Sequence, residues 1–308
     1  MILLESYKME YSVKENKDIE SSVPLSSTEP EEWTMEIKSN PGLFDLNLKE
    51  LWRYRDLISL IVKRDFVSAY KQTVLGPVWH FAEPMVTTLT YAFIFGGIAN
   101  ISTDGLPRIL FYLSGIMLWT YFSNCLLNTS STFNANAHIF GKVYFPRLVM
   151  PITTTISSMI ALGMQFILFI LLVLFYYVRG ENINTNIYAL LTPLLVIMIA
   201  GTGLGLGMLL SSVTNKYRDI AKLVGVSMRL LMFATPIIYP LSKVPDKYKP
   251  IIMLNPMTSI VETFRYGWLG TGSFSWNNLG YSLIFMLVSL FFGILAFNKV
   301  QKTAIDTI

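Results

Sequence analysis

Long apolar blocks separated by short polar connections dominate the chain from residue 74 onwards. Each block holds about 20 residues, which is the length that a helix needs to cross a hydrocarbon core of about 30 Å. The blocks are continuously apolar and do not alternate residue by residue, which favours membrane-spanning helices over the strands of a barrel. We therefore predict an all-α integral membrane protein with six transmembrane helices. The predicted spans are Val74–Ala99, Ile109–Phe133, Leu148–Val178, Tyr188–Ser211, Ala221–Leu241 and Leu279–Phe297.

The segment just ahead of the first span has an amphipathic pattern. On a helical wheel, Leu51, Tyr54, Ile58, Ile61 and Val62 share one face, and charged residues occupy the opposite face. A helix of this kind lies in the plane of the inner leaflet with its Lys and Arg side chains toward anionic head groups. The predicted domains are a polar acidic N-terminal tail at residues 1–47, this amphipathic interface helix at 48–72, a six-span domain at 73–302 and a cytoplasmic C-terminal end at 303–308.

Composition and charge support membrane insertion and give an orientation. Charged residues make up 14% of the chain and the mean hydropathy is +0.49, whereas a soluble domain has roughly 25% charged residues. With a cytoplasmic N-terminus, thirteen Lys and Arg residues lie on the inner side and six on the outer side, as the positive-inside rule requires. We therefore expect both termini in the cytoplasm.

The predicted outer loop before the last span is unusual. Its sequence, YKPIIMLNPMTSIVETFRYGWLG, is apolar enough to enter the membrane, but Asn255-Pro256 breaks it and Glu262 and Arg265 interrupt its second half. Irregular backbone is tolerated at membrane depth only where protein surrounds it. We predict two re-entrant helices that dip in from the outer face.

Several kinds of chemistry lack the residues that they need. The single cysteine, Cys125, excludes an internal disulfide, and with only His80 and His138 elsewhere no zinc-ligand spacing occurs. The sequence contains no GxxxxGK[ST] phosphate loop, and the glycine string at Gly201–Gly207 fits close packing of helices. We therefore expect this chain to bind no metal or cofactor and to have no ATPase activity of its own.

An intramembrane enzyme that acts on polyprenyl phosphates is a remote alternative. Such an enzyme needs clustered carboxylates to hold magnesium, whereas from Asp65 onward no two acidic residues lie within fifteen residues of each other. Distant carboxylates can meet in a fold, so the sequence leaves this alternative open.

Ionisable and aromatic side chains within the predicted spans indicate a substrate pathway. A charged side chain costs about 2.5–3.5 kcal/mol at the bilayer centre, which makes Glu83 and Arg229 candidates. Lys222 and Arg229 would attract an anionic phosphate group, because a guanidinium fits phosphate oxygens, although anchoring at the inner head groups explains them as well. Aromatic rings would pack on C–H surfaces of a substrate, although core packing and interfacial belts also explain them. The aromatic candidates are Tyr91, Trp119, Tyr121 and Phe122.

A set of separate stretches in a fixed order carries a resemblance to a known family. They are RDFVSAYKQTVLGPVW, FYLSGIMLWTYFSNCL, FGKVYFPRLVMP, NKYRDI, ATPIIYP and LNPMTSIVETFRYGWLG, followed by the sixth span. Through them the chain resembles, from residue 46 to residue 302, the membrane subunit of a type-2 ABC exporter, in the branch that exports O-antigen, capsule and teichoic-acid polysaccharides.

The resemblance implies partners and a cargo. The partners would be a second copy of this chain, two ATPase subunits that hold ATP and Mg²⁺, membrane lipids and no nucleic acid. The cargo would be a lipid-linked polysaccharide that crosses the bacterial cytoplasmic membrane, and a drug or lipid exporter of the same class is the alternative.

The resemblance also implies two contact surfaces for the ATPase, the interface helix and the inner loop between the second and third spans. Positive-inside charge explains Lys142 and Arg147 equally well. We expect His138, Lys142 and Arg147 to face the cytoplasm. The coupling candidates are Arg53, Arg55, Asp56, His138, Lys142 and Arg147. The candidates for an outer gate are Tyr239, Glu262 and Arg265.

Overall fold

The computed structural model describes residues 48–71, 73, 76–140 and 145–305. These residues form eleven α-helices and no β-strand, so the predicted all-α class is confirmed. The predicted tail at residues 1–47 lies outside the described residues. The helices are α1 (Leu48–Arg53), α2 (Arg55–Tyr70), α3 (Trp79–Tyr91), α4 (Arg108–Ser130), α5 (Thr132–Phe140), α6 (Val149–Val178), α7 (Thr192–Thr214), α8 (Arg218–Phe233), α9 (Lys249–Met253), α10 (Pro256–Leu269) and α11 (Trp276–Ile305).

Five helical segments of the described chain are long and apolar enough to cross a membrane. The first combines α3 with the π-helix that follows it directly, and the fourth combines α7 with a preceding 3₁₀ turn. They correspond to the first, second, third, fourth and sixth predicted spans. The five segments are Trp79–Ile98, Arg108–Ser130, Val149–Val178, Ile187–Thr214 and Trp276–Val300.

The fifth predicted span is helical only in part. Helix α8 has 16 residues, or about 24 Å at about 1.5 Å per residue, which is less than the hydrocarbon core of about 30 Å. It ends at Phe233, and the chain runs through turns to Pro240. Pro236 interrupts this part of the predicted span because proline lacks the N–H that a helix interior requires. A sixth crossing at this position stays a prediction.

The segment predicted as one interface helix consists of two helices. Tyr54, with φ −89° and ψ 13°, separates α1 from α2. The apolar face that the sequence predicted packs against the chain that enters α6, so protein covers this part of it. The residues in this contact are Ile61, Phe145, Val149 and Met150, with Leu51, Tyr54 and Ile58 packed against them.

Helix α4 lies at the centre of the bundle, and 78% of the residues in its apolar stretch are buried inside the protein. Helix α7 packs closely against α4 on one side and α11 on the other. Its glycines face both neighbours and have no side chain that would hold the helices apart. An added Cβ at Gly203 would lie 3.2 Å from the Phe122 carbonyl oxygen of α4. At Gly205 it would lie 2.6 Å from the Ser289 backbone of α11. The predicted packing role of the glycine string is confirmed.

Two helices occupy the predicted outer loop, as the sequence indicated. Asn255 separates α9 from α10, and its side-chain oxygen accepts a hydrogen bond of 3.0 Å from the Met257 N–H. Pro256 follows as the first residue of α10, where its missing N–H costs nothing. The Asn-Pro pair therefore starts α10, whereas the depth of the two helices in a membrane stays a prediction.

Candidate functional site

A groove with a volume of about 340 Å³ lies between α3, α4 and α8. It brings together three predicted pathway residues, Tyr91, Trp119 and Arg229, which come from three different helices. The remaining lining residues are Ser123, Leu127, Gly225, Met228, Met232 and Phe233.

Helical spacing explains how the sequence forms this groove. Residues four apart lie on one face of a helix, and Trp119, Ser123 and Leu127 form such a row on α4. Gly225 and Arg229 form a second row on α8. The 3.6-residue period on α4 would have predicted Ser123 and Leu127, which the search for aromatic and charged residues missed.

Two aromatic side chains of the groove are fixed by their neighbours. The Tyr91 hydroxyl lies 3.8 Å from the Met232 sulfur, and the Tyr91 ring meets the Phe95 ring edge-on at 5.4 Å between centroids. The Trp119 ring is 4% exposed and packs on the Phe122 ring at 5.4 Å. These contacts join α3 to α8 and hold both rings at the groove.

Arg229 gives the groove its charge. It is the one charged side chain among the described lining residues, it is exposed, and it forms no ion pair with another described residue. A guanidinium offers several N–H donors in a planar fork that matches phosphate oxygens. The groove can therefore hold an anionic group against Arg229 and apolar carbon against its rings and methionines.

The other predicted pathway residues lie elsewhere. Tyr121 and Phe122 are buried in the core and do not line the groove. Tyr121, two residues from Trp119, points to another face of α4, whereas Phe122, three residues from Trp119, packs on the Trp119 ring. Glu83 is exposed on α3, and Lys222 is exposed on α8 seven residues before Arg229. Three of the seven pathway candidates, Tyr91, Trp119 and Arg229, therefore line one groove, and a role in a substrate pathway stays a prediction for all seven.

Arg265, a predicted gate residue, is fully enclosed between α10, the start of α4 and the turn after α8, with 1% of its side chain exposed. Its guanidinium lies 3.8 Å from the centre of the Phe111 ring. It donates hydrogen bonds to the carbonyl oxygens of Phe111 at 3.1 Å, Pro236 at 2.5 Å and Ile237 at 2.9 Å, and to the Ser114 hydroxyl at 3.1 Å. One side chain thus joins α10 to the start of α4 and to the turn after α8.

Glu262, a second predicted gate residue, lies on the same face of α10. Its Oε1 is 3.8 Å from the Arg265 Nη1, and its Oε2 accepts a hydrogen bond of 3.0 Å from the Ser273 N–H. The Glu262 side chain is 3% exposed. Nearby, the Ser242 hydroxyl bonds the Asp104 carboxylate at 2.7 Å, which ties the loop before α4 to the loop after α8.

Tyr239, the third gate candidate, is half-buried in the turn after α8. Its hydroxyl donates a hydrogen bond of 3.2 Å to the Phe233 carbonyl at the end of that helix. The structure thus brings Glu262 and Arg265 into direct contact, while Tyr239 belongs to the turn whose carbonyls Arg265 binds.

The coupling candidates divide into exposed and buried residues. Arg53, Arg55, Asp56 and His138 are exposed. Arg147 differs from the expectation that it faces the cytoplasm, because its residue is only 9% exposed and its guanidinium lies 5.4 Å from the Phe140 ring centre. Burial lowers the pKa of Arg147. Lys142 lies outside the described residues. A role in coupling stays a prediction for all six.

The described residues contain no group of three or more His, Cys, Asp or Glu side chains that could hold a metal ion.

Comparison with known proteins agrees with the multi-pass architecture. The O-antigen export system permease protein RfbA of Klebsiella pneumoniae is 27% identical over 248 residues, which cover 80% of this chain and 92% of that protein. The polysialic acid transport protein KpsM of Escherichia coli is 26% identical over 256 residues, covering 81% and 95%. The capsule polysaccharide export inner-membrane protein CtrC of Neisseria meningitidis serogroup A is 23% identical over 263 residues, covering 83% and 95%.

A sequence profile for a whole family gives the same result. The profile described as ABC-2 type transporter matches residues 56–269, from α2 to the end of α10. The match includes the groove, α8 and the Arg265 cluster. Because it covers more than half of the chain, this multi-pass membrane protein belongs to the ABC-2 type transporter family.

Proposed function

We propose that this chain is the transmembrane subunit of an ATP-driven exporter that moves a lipid-linked polysaccharide across the cytoplasmic membrane of a bacterium. Membership of the ABC-2 type transporter family supports transport. The names of the relatives, which refer to O-antigen, polysialic acid and capsule polysaccharide, support a glycan cargo.

The structural observation that carries the proposal is the groove between α3, α4 and α8. A lipid-linked glycan has an anionic phosphate group, a long apolar chain and sugar rings. Arg229 would bind the phosphate, and the rings of Tyr91 and Trp119 would pack on sugar C–H faces or on the lipid. Lys222, on the same helix, would draw the phosphate toward the groove from the inner leaflet.

The proposed membrane arrangement has six crossings and both termini in the cytoplasm. Helix α8 and the turns that follow it to Pro240 would make the fifth crossing, and α9 and α10 would dip in from the outer face. The bias of Lys and Arg toward the proposed inner side supports this orientation. The turns after α8 can lie at membrane depth because the Arg265 guanidinium satisfies their carbonyl oxygens.

The proposed assembly contains two copies of this chain and two ATPase subunits, which would bind ATP and Mg²⁺. Helices α1 and α2 and the loop between α5 and α6 would contact the ATPase, with Arg53, Arg55, Asp56 and His138 at its surface. The apolar face of these helices packs on the start of α6, so a displacement of α2 would be transmitted to the third span. This packing supports a coupling role.

Export of a small amphiphile is a second candidate, and a specific feature of the groove favours it. Met228, Met232 and Leu127 line the groove together with its aromatic rings. Methionine side chains adapt to irregular apolar ligands, so this lining also suits a drug or a free lipid.

Depletion of the protein in its native host distinguishes the two candidates. Mass spectrometry would measure the lipid-linked glycans that remain on the cytoplasmic side. We expect one diphosphate-linked glycan to accumulate and to disappear when the protein is expressed again. Increased sensitivity to amphiphilic drugs without accumulation would support the second candidate and reject the first.

A further inference from the structure

A second pocket, of about 260 Å³, lies between α2, α3, α4 and α6. It shares no lining residue with the groove that holds Arg229. Polar side chains from all four helices meet in it, and the argument below rests on Asp65, Phe66, Asn124, Asn128 and Ser157.

The pocket contains hydrogen-bonding groups that the described protein does not use. Asn124 and Asn128 lie one turn apart on one face of α4, and neither side-chain amide bonds another described residue. The Ser157 hydroxyl is buried and has no hydrogen-bond partner among the described residues. Its neighbour Ser158 donates to the Thr154 carbonyl at 2.9 Å, as helical serines commonly do. The Ser157 hydroxyl is one of five buried hydroxyls without a partner among the described residues, and the one that lines this pocket. Because buried polar groups are normally hydrogen-bonded, a polar occupant would satisfy it.

The charge of the lining selects among polar occupants. Asp65 accepts hydrogen bonds from Arg64 at 3.1 and 2.7 Å, and both go to Oδ1, which leaves Oδ2 available. The described lining contains no Lys or Arg. A phosphate would therefore meet the Asp65 carboxylate, and the nearest cation, Arg64, already pairs with that carboxylate at 2.7 Å, so the lining disfavours an anionic occupant.

A neutral sugar matches these groups. Each sugar hydroxyl can donate and accept, an asparagine amide does the same from one side chain, and a carboxylate oxygen accepts. The Phe66 side chain adds apolar surface for the C–H face of a sugar ring. The volume is below the roughly 300–1,000 Å³ of pockets for drug-sized ligands, which limits the occupant to a small group.

We propose that this pocket binds one neutral sugar unit of the lipid-linked glycan. This inference rests on the proposed function and makes it more specific. The phosphate of the cargo is bound at Arg229, and a sugar is recognised separately at Asn124, Asn128 and Ser157. The transporter thus distinguishes a glycosylated carrier from a bare one before export.

The test uses the full chain with its ATPase subunits in nanodiscs of phosphatidylethanolamine and phosphatidylglycerol. The probes are a polyprenyl diphosphate that carries a neutral disaccharide and the same lipid without sugar. We expect the wild type to bind the disaccharide lipid more tightly. Asn124→Leu and Asn128→Leu should each reduce that preference about twofold to tenfold, the effect of one net hydrogen bond, and leave the affinity for the bare lipid unchanged. Asn277→Leu, at an exposed position of α11, is the matched control and should change neither affinity.

A second measurement does not depend on the stability of the leucine variants. Ala69 is an exposed residue in the lining, and the natural Cys125 is buried, so Ala69→Cys provides a selectively accessible thiol. We expect the disaccharide lipid to slow maleimide labelling of this thiol, and the bare lipid to have no effect.

Each other outcome rejects a defined part of the inference. Equal affinity of the wild type for the two lipids, or equal protection of Ala69→Cys by both, overturns the sugar site while glycan export stands. With neither probe present, slower labelling in these nanodiscs than in nanodiscs without phosphatidylglycerol assigns the pocket to a lipid head group and also overturns the sugar site. Failure of the wild type to transport any glycan overturns the proposed function itself.

Discussion

Replacement of Arg265 by methionine should destabilise the protein strongly. Methionine replaces the unbranched apolar stem of the arginine but lacks the guanidinium. The change therefore removes the N–H donors to three carbonyl oxygens and to the Ser114 hydroxyl. It also leaves the Glu262 carboxylate, 3% exposed, without its ion-pair partner. Removal of one partner from a buried pair costs about 3–5 kcal/mol. A protein of about 5–15 kcal/mol total stability would lose a large fraction of it.

The structure also predicts how related variants rank. Arg265→Lys keeps a charge for Glu262 but loses the planar fork, so it should recover only part of the loss. The double variant Glu262→Gln/Arg265→Met should lose less than the sum of the two single changes, because no charge remains buried alone. Arg179→Gln is the matched control, since that arginine is exposed over the Phe175 ring at 4.7 Å, and it should cost less than about 1 kcal/mol.

The assay is unfolding of the purified chain by a denaturing detergent, followed by tryptophan fluorescence, from which the free energy of unfolding is obtained. An Arg265→Met variant within about 1 kcal/mol of the wild type would refute the reasoning, because it would show that these bonds contribute little net stability. Full additivity in the double variant would refute the coupling between Glu262 and Arg265.

Three further predictions concern the groove, the helix packing and the ATPase. Arg229→Gln should reduce export severalfold in membrane vesicles without a change in unfolding free energy, because the side chain is exposed; normal export would remove Arg229 from the pathway. Gly205→Leu should lower the yield of folded protein, since a Cβ there would lie 2.6 Å from the α11 backbone, whereas Gly163→Leu, with open space around it, should not; equal yields would contradict the packing. Arg53→Glu combined with Lys142→Glu should abolish transport-stimulated ATP hydrolysis in the reconstituted complex, and unchanged stimulation would reject this contact surface.

The sequence predicted the spans because bilayer thickness imposes a length on every apolar helix. Five predicted spans coincide with long apolar helices. The segment Ala221–Leu241 differs from the other predicted spans. Its apolar composition predicted a full span, but its helix ends at Phe233, ahead of Pro236 and Pro240. Attention to the prolines would have shortened this prediction.

The sequence predicts well which residues of one helix share a face, because helical periodicity determines this. It predicts poorly which residues from distant segments of the chain come into contact. Tyr91, Trp119 and Arg229 were chosen for their chemistry and line one groove. Tyr121 was chosen from the same aromatic cluster but does not line the groove, and its place two residues from Trp119 on the helix could have shown this. The partners of Arg265 could not be predicted, because Phe111 lies 154 residues away in the chain and no local pattern indicates which carbonyls a buried guanidinium will bind.

Transport by the reconstituted complex tests the central claim most directly. The chain and its ATPase subunits would be placed in liposomes that contain a fluorescent polyprenyl-diphosphate oligosaccharide, and a glycosidase added to one side would report the sugar that reaches that side. The account predicts ATP-dependent exposure of the glycan, lost when the ATPase subunits are omitted. Exposure at the same rate with and without ATP, or no exposure in an assembly that hydrolyses ATP, would contradict export of a lipid-linked polysaccharide by this protein.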